Sequence, residues 1–301
     1  MRRVCAVIVT YNRPELLCRC VKRLFEQDYP IDILIYDNHS QTETEAALRS
    51  ENLVTEKVFY YYADENTGGS GGFHNGMKMA REKGYDDLLL MDDDGYAINA
   101  RTVSELMKAR ERVGEMAILN SLVVCDEKNL QLSFSLDRCY DGNEMRMRAV
   151  NGLLKEFVSP FNGTLISSAI VDLIGYPRKE FFVYGDETEY TLRAKKNNVE
   201  LYTVVDSLYY HPTNVGGMKR VLGFNFSVSD VPMWKVYCSS RNTTYFTNLY
   251  FGKATVLKSI LRSYINVVLC KRKKGMRLKY TTQGIRDGLR GDFSKKLDLT
   301  K

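Results

Sequence analysis

The chain has 301 residues, of which 44% are hydrophobic and 27% charged, and a net charge of +6. That length suits one large domain or two small ones around a real core, and no stretch approaches the roughly 18 apolar residues of a membrane-spanning helix. The seven cysteines are scattered, with Cys18 and Cys20 the only close couple, which argues against a zinc site or disulfide framework and for a reducing cytoplasm.

Met1-Arg2-Arg3 before Val4–Thr10 has the look of a signal peptide, but the apolar run is short and ends in Tyr11-Asn12-Arg13-Pro14. No small-residue cleavage site follows, so the run reads as a first strand. Pro14 to Phe25 has helical spacing, with Leu16, Leu17, Val21 and Leu24 on it. Ile31–Tyr36 is a second strand ending at Asp37-Asn38-His39-Ser40, Thr42–Arg49 a helix, and Val58–Tyr62 a third strand. Gly68–Gly72 then leads into a helix from about Phe73 to Lys83. Leu88–Met91 is the fourth strand and Thr102–Val113 another helix. Strands alternating with helices imply a mainly parallel sheet with right-handed crossovers. After Asn120 the pattern becomes mixed and irregular.

The fourth strand closes on Asp92-Asp93-Asp94-Gly95. Three carboxylates at a strand end sit where an open α/β sheet binds its ligand. Unneutralised, they raise one another's pKa and repel; Mg²⁺ or Mn²⁺, which takes oxygen ligands and bridges carboxylates to phosphates, removes that cost. A solvated acidic turn is the plainer alternative. The stretch Thr67-Gly68-Gly69-Ser70-Gly71-Gly72-Phe73-His74-Asn75-Gly76 contains no Gly-x-x-x-x-Gly-Lys-Ser/Thr, which excludes a P-loop. It does not follow the first strand, as a dinucleotide fold requires. Its glycines are expected to permit positive φ and close backbone approach.

Val7-Ile8-Val9-Thr10-Tyr11-Asn12-Arg13, Tyr36-Asp37-Asn38, the glycine-rich stretch from Asn66, Leu90-Met91-Asp92-Asp93-Asp94 and Phe181-Phe182-Val183-Tyr184-Gly185-Asp186-Glu187-Thr188-Glu189-Tyr190 occur in that order. Together they resemble a family 2 inverting glycosyltransferase of GT-A fold. The resemblance covers roughly residues 4–215. The galactofuranosyltransferase-like branch is indicated by Asn66 to Phe73 and by Gly185 to Arg193.

The resemblance implies a set of roles. Asp92 and Asp94 hold the metal, Mn²⁺ or Mg²⁺, and Asp93 lies nearer the sugar. Asp37 contacts the nucleobase or ribose, with Thr10 and Tyr11 as the floor under the base. Asn12, Arg13, Asn66, Gly69, Gly72 and His74 complete the nucleotide-sugar site. Inversion needs a base on the face opposite the leaving group, and a carboxylate can serve. Glu187, where relatives usually carry an Asp, is the expected base and Asp186 positions the acceptor; the two could exchange. Glu189, the third candidate carboxylate, belongs to the first turn of the following helix, next to its dipole, and its structural and functional readings both stand. For Asp37 a turn-initiating role is the alternative.

Histidines are few: His39, His74 and His211. His211, after the strand-like run Leu201–Val205, matches a third metal ligand of several relatives, and His74 is placed to approach the diphosphate. Trp234, Tyr237, Arg241, Asn242 and Tyr245 form a helical segment expected to pack on the core, with Arg241 a second candidate for the diphosphate.

From Lys253 to Lys301 there are fourteen Lys and Arg against three Asp and Glu, a local charge of +11 that leaves about −5 for residues 1–252. Leu257, Ile260, Leu261, Tyr264, Ile265 and Val268 share a helical face, followed by Lys271-Arg272-Lys273-Lys274. An apolar face beside a polybasic cluster suits an anionic leaflet; docking on the catalytic domain or contact in a homo-oligomer are the alternatives. No nucleic-acid-binding module accompanies the basic patch.

The expectation is a GT-A catalytic domain at 1–230 and a helical, basic extension at 231–301. The resemblance implies transfer of galactofuranose from UDP-galactofuranose to a glycan or lipid-linked glycan of a bacterial surface polysaccharide, at the inner face of the plasma membrane. dTDP-rhamnose or another nucleotide-sugar is the alternative donor. A nucleotidyltransferase would show a basic loop after the first strand, where only Arg13 stands. An inactive nucleotide-sugar-binding scaffold would not need the intact carboxylate sets.

Overall fold

The structure is a computed structural model and describes residues 1–155, 157, 161–213, 218–221, 224–227, 230–295, 297 and 299. It divides into two compact units, the first formed by Met1–Lys179 and Tyr190–Thr213, the second by Glu180–Glu189 and Asn214–Lys301.

The first unit opens with β1 (Val4–Thr10), a β-branched run buried along its whole length. In α1 (Pro14–Phe25) the proline sits in the first turn, where its missing N–H costs nothing. There follow β2 (Ile31–Asp37), α2 (Thr44–Ser50), β3 (Val58–Tyr62), α3 (Gly68–Glu82), β4 (Asp87–Asp92), β5 (Tyr96–Ala97) and α4 (Thr102–Val113). The mixed region contains β6 (Ala117–Asp126), β7 (Gln131–Leu136), β8 (Cys139–Asp141), α5 (Gly142–Arg148), β9 (Leu153–Leu154), β10 (Thr164–Ser167) and α6 (Ser168–Ile174). Then come α7 (Asp186–Lys196), within which the two units divide, and β11 (Glu200–Tyr210).

Among the described residues these strands form one eleven-stranded sheet, whose main path runs β3-β2-β1-β4-β10-β6-β11-β5. β3, β2, β1 and β4 are parallel, β10 runs antiparallel to both β4 and β6, and β11 is parallel to β6. Six of the eight strands on the main path therefore share one direction, with β10 and β5 reversed, and off that path β7 and β9 also run against their neighbours. Because side chains alternate across a strand, β1 feeds two cores. Ala6 and Ile8 pack with Leu17, Val21, Leu24 and Leu106 on one face. Val7 and Val9 pack with Phe73, Met77, Ala80 and Ile170 on the other. Under the N-terminal end of β4, the buried Asp87 carboxylate accepts from Arg110 Nε at 3.0 Å and from Arg2. Arg110 also donates to the carbonyls of Gly114 and Ala117.

The glycine-rich stretch departs from its expected form. It does not precede a helix starting near Phe73; it is the first part of α3, which begins at Gly68. Only Gly68 there has a positive φ, +71°. A Cβ on Gly72 would lie 2.5 Å from Val9 Cγ1, and one on Gly76 would lie 2.6 Å from Val7 Cγ1. These glycines bring the helix against β1, and that contact offsets their low helix propensity. The strand expected at Leu201–Val205 likewise continues to Tyr210.

In the second unit, β12 (Met218–Val221) and β13 (Phe224–Ser227) pair antiparallel. Three helices follow: α8 (Met233–Tyr250), α9 (Lys253–Leu269) and α10 (Lys274–Arg290). α10 lies close along α8 because Gly284 carries no side chain; a Cβ there would meet the Tyr237 carbonyl oxygen at 2.6 Å. Tyr237 donates its hydroxyl to Asp287 at 2.9 Å across the same contact.

Candidate active site

The sheet registers bring β1, β2 and β4 to a common edge, pairing Val9 with Asp92 and Thr10 with Asp37. At that edge Thr10 Oγ1 donates to Asp93 Oδ2 at 2.8 Å. The guanidinium of Arg13 lies 3.0 Å from Asp93 Oδ1 and 2.8 Å from Asp94 Oδ2 through the same Nη1. Burial pushes the Asp93 carboxyl up to about 6, against the opposing pull of Arg13 and the hydrogen bond from Thr10. Asn162 Nδ2 donates to Asp92 Oδ2 at 3.3 Å. Arg19 Nη2 donates to the Asp94 carbonyl at 3.2 Å.

His211 reaches this cluster through β5. The chain leaves Asp94-Gly95 directly into that short strand, which pairs with Tyr209 and Tyr210 at the end of β11. Gly95 is required there, since a Cβ would lie 2.5 Å from the Tyr209 ring. The next residue, His211, donates its backbone N–H to the Val124 carbonyl at 3.0 Å and turns Nε2 to 3.5 Å from Asp94 Oδ1.

Asp92, Asp94 and His211 each offer one ligand atom, and the three atoms lie within 4.8 Å of one another. Their chemistry fits a divalent cation. Burial lowers the His211 pKa, against the pull of Asp94, which favours the neutral imidazole that a metal needs. Asp94 Oδ1 is buried and accepts no hydrogen bond among the described residues, a costly state for a carboxylate oxygen that a cation would relieve.

The expected nucleotide-sugar residues lie in the same unit as this cluster. Asp37 is fully buried; Oδ1 accepts from the Ser40 N–H at 2.8 Å and Oδ2 from the Tyr60 hydroxyl at 2.7 Å. Asn12, at φ +56°, donates its N–H to Ser40 Oγ at 2.8 Å. Tyr11 is exposed beside it. Asn66 Oδ1 accepts from Asn38 Nδ2 at 3.1 Å and from the Gly68 N–H at 2.8 Å, which fixes the start of α3. Gly69 has open space where a Cβ would stand, whereas Gly72 is packed on Val9. His74 Nδ1 donates to the Pro177 carbonyl at 2.8 Å, leaving Nε2 as its acceptor nitrogen.

In the second unit, Asp186 and Glu187 open α7, Asp186 buried and Glu187 half-buried. The approach to them is strained: Phe182 and Tyr184 both have φ near +66°, and Gly185 has +83°. Left-handed backbone at bulky residues is held only by its surroundings and clusters at functional sites. Two α8 side chains hold it here. Asn242 Nδ2 is shared among the carbonyls of Phe181, Val183 and Tyr184 at 2.8–3.0 Å. Arg241 Nη2 donates to the carbonyls of Glu180 and Phe181. Glu189 is fully buried and accepts from the Tyr250 hydroxyl at 2.7 Å. Trp234 meets Phe182 edge to face.

Sequence reasoning did not single out Asn162 or Arg19, whose contacts on the triplet come from distant segments. The signal for Asn162 was the following Gly163, which takes φ +68° against Tyr209. From sequence, Asn242 is legible only as part of a packing helix.

Comparison with known proteins gives the family and the fold. The model of the family described as Glycosyl transferase family 2 matches residues 5–168. A galactofuranosyltransferase GlfT1 of Mycobacterium tuberculosis is 30% identical over 226 residues, 73% of either chain. A dTDP-rhamnosyl transferase RfbF of Shigella flexneri is 22% identical over 295 residues, 95% of either chain. Among solved structures, the mannosyltransferase PcManGT from Pyrobaculum calidifontis, in complex with GDP-Man and Mn²⁺, superposes with a TM-score of 0.55 at 12% identity. That match covers 99% of this chain and 77% of the other. The chain belongs to glycosyl transferase family 2 and carries the GT-A fold.

Proposed function

We propose that this glycosyltransferase moves galactofuranose from UDP-galactofuranose onto a glycan or lipid-linked glycan, as an inverting enzyme of surface polysaccharide synthesis. The convergence of Asp92, Asp94 and His211 at the sheet edge carries this reading. Those three residues would hold Mn²⁺ or Mg²⁺. A divalent cation in such a site supplies counter-charge for the diphosphate as negative charge grows on it.

The protein's own groups account for the remaining work. Glu187 takes the proton of the acceptor hydroxyl while the acceptor oxygen bonds to the anomeric carbon and the bond from that carbon to the β-phosphate oxygen breaks. UDP departs and the anomeric configuration inverts. Asp186 orients the acceptor, and the Phe181–Gly185 segment, clamped by Asn242 and Arg241, fixes where the two carboxylates start. Asp37 and the Thr10–Arg13 segment bind the nucleoside end, and Asp93 faces the sugar. Asn66, Gly69, Gly72 and His74 shape the α3 side of the donor site, where the open space at Gly69 admits a ligand. All seven cysteines are free thiols, as suits a cytoplasmic location with donor and acceptor at the inner membrane face.

The likeness to GlfT1 supports galactofuranose. The likeness to RfbF, which runs along 95% of the chain, supports dTDP-rhamnose as the second reading. Nucleotide release from a panel of UDP-, dTDP- and GDP-sugars, with membrane extract supplying acceptors, separates them. Turnover of UDP-galactofuranose alone is expected. Turnover of dTDP-rhamnose instead would keep the chemistry and replace the sugar, and silence on every donor despite metal-dependent nucleotide binding would point to a missing acceptor or a binding protein.

A further inference from the structure

The helices of the second unit leave one apolar face uncovered among the described residues. On α9, Val256 and Val267 turn inward and are buried, whereas Leu257, Leu261 and Val268 are 68%, 58% and 67% exposed. Residues 257, 261, 264 and 268 recur at helical spacing, so Tyr264 joins the three in one stripe.

The charge around the stripe has a single sign. Residues 231–286 contain twelve Lys and Arg and not one Asp or Glu. Lys258 is exposed on α9, and Lys271, Arg272, Lys273 and Lys274 form the exposed connection into α10, just past the end of the stripe. Arg272 reaches Asp230 at 3.7 Å. Lys258, Lys271, Lys273 and Lys274 make no ion pair among the described residues. On α10 a groove of about 370 Å³, lined by Gly275, Leu278, Lys279, Thr282, Gln283 and Arg286, continues the surface. The Tyr264 hydroxyl meets Thr282 Oγ1 at 3.2 Å, joining stripe to groove.

A second copy of the chain is a poor occupant. A two-fold contact through this stripe would bring together two surfaces of the same sign, with no carboxylate in residues 231–286 to meet the lysines. What the surface fits is apolar and anionic at once. We propose that α9 and residues 271–274 dock on an anionic lipid leaflet. Leu257, Leu261, Tyr264 and Val268 enter the boundary between headgroups and acyl chains, and the lysines meet the lipid phosphates. This rests on the surface alone and is independent of which sugar is transferred.

Co-sedimentation of the full chain with vesicles tests it. Binding is expected to vesicles containing phosphatidylglycerol and not to pure phosphatidylcholine, weakening as salt rises from about 0.1 to about 0.5 M. The variants K271S/K273S/K274S and L257S/L261S should each bind about tenfold or more weakly, with unchanged melting temperature. Three results would overturn the proposal: no binding to anionic vesicles, equal binding to neutral ones, or variants that bind as well as the parent chain. A dimer in light scattering that L257S/L261S dissociates would assign the stripe to a second copy instead and overturn it equally.

Discussion

His211 holds Nε2 3.5 Å from Oδ1 of Asp94, an oxygen that accepts no hydrogen bond among the described residues. The two residues are far apart in sequence and meet because β5, which starts just after Asp94, pairs with the end of β11, which stops just before His211. A carboxylate and a neutral imidazole so placed, with Asp92 beside them, would supply part of a divalent cation's coordination shell.

Single substitutions in that shell should lower Mn²⁺ affinity without unfolding the protein. Asp92→Asn and Asp94→Asn remove charged oxygen ligands and should cost more than His211→Ala, for which a loss of about tenfold is expected. Isothermal titration with Mn²⁺ measures this. Melting temperatures should stay level or rise in the Asp variants, since removing one carboxylate relieves repulsion. Undiminished Mn²⁺ binding in all three would move the metal site elsewhere.

Asp93 carries a pH dependence whose sign is fixed. Its folded-state pKa is raised by burial from 3.8 to about 6. Between those values the native metal-free protein keeps a proton that the unfolded chain has lost. Unfolding free energy therefore falls as pH rises through this window, by up to about 3 kcal/mol from this one group. Asp93→Asn should flatten the fall in melting temperature between about pH 4 and pH 6. Equal slopes in variant and parent would remove Asp93 as the cause.

The glycines of α3 separate packing from binding. Gly72→Ala and Gly76→Ala each force a Cβ into a core valine of β1 and should cost about 1–3 kcal/mol in denaturant unfolding. Gly69→Ala meets no neighbour and should leave stability level or slightly raised. If the donor passes over this turn, the same variant raises KM for the nucleotide-sugar. A Gly69→Ala protein with unchanged KM would place the donor away from it.

The buried Asp87–Arg110 pair should be the most sensitive polar contact of the first unit. Arg110 is 1% exposed and Asp87 fully buried. Asp87→Ala strands the guanidinium without its counter-ion, at a cost of about 3–5 kcal/mol. A loss in chemical denaturation of under about 1 kcal/mol would mean that the carbonyls of Gly114 and Ala117 suffice for Arg110.

Much of this architecture was legible from local pattern. β1, α1, β3 and α4 begin and end where the β-branched run, helical spacing and Pro14 place them: α1 and α4 bury one face whose period the sequence records, and β1, buried on both faces, reads as a short apolar run. The acidic triplet was legible for the same reason, as a charged stop to an apolar strand. The glycine-rich start of α3 is not legible as helix, because a helix packed on Val7 and Val9 overrides propensity through a contact distant in sequence. Equally hidden were Asn162 on Asp92 and the grip of Asn242 on the strained backbone before Asp186. Such pairs leave no periodic trace in a single sequence, and only the fold brings them together.

The most direct test is calorimetric titration of UDP into the parent chain and into Asp94→Asn, each with Mn²⁺ and then with excess chelator. A metal-bridged nucleotide-sugar site predicts UDP binding by the parent chain that needs Mn²⁺, vanishes with chelator, and is weakened at least about tenfold in Asp94→Asn. UDP binding of equal strength with chelator, or equal strength in Asp94→Asn with Mn²⁺ present, would contradict it.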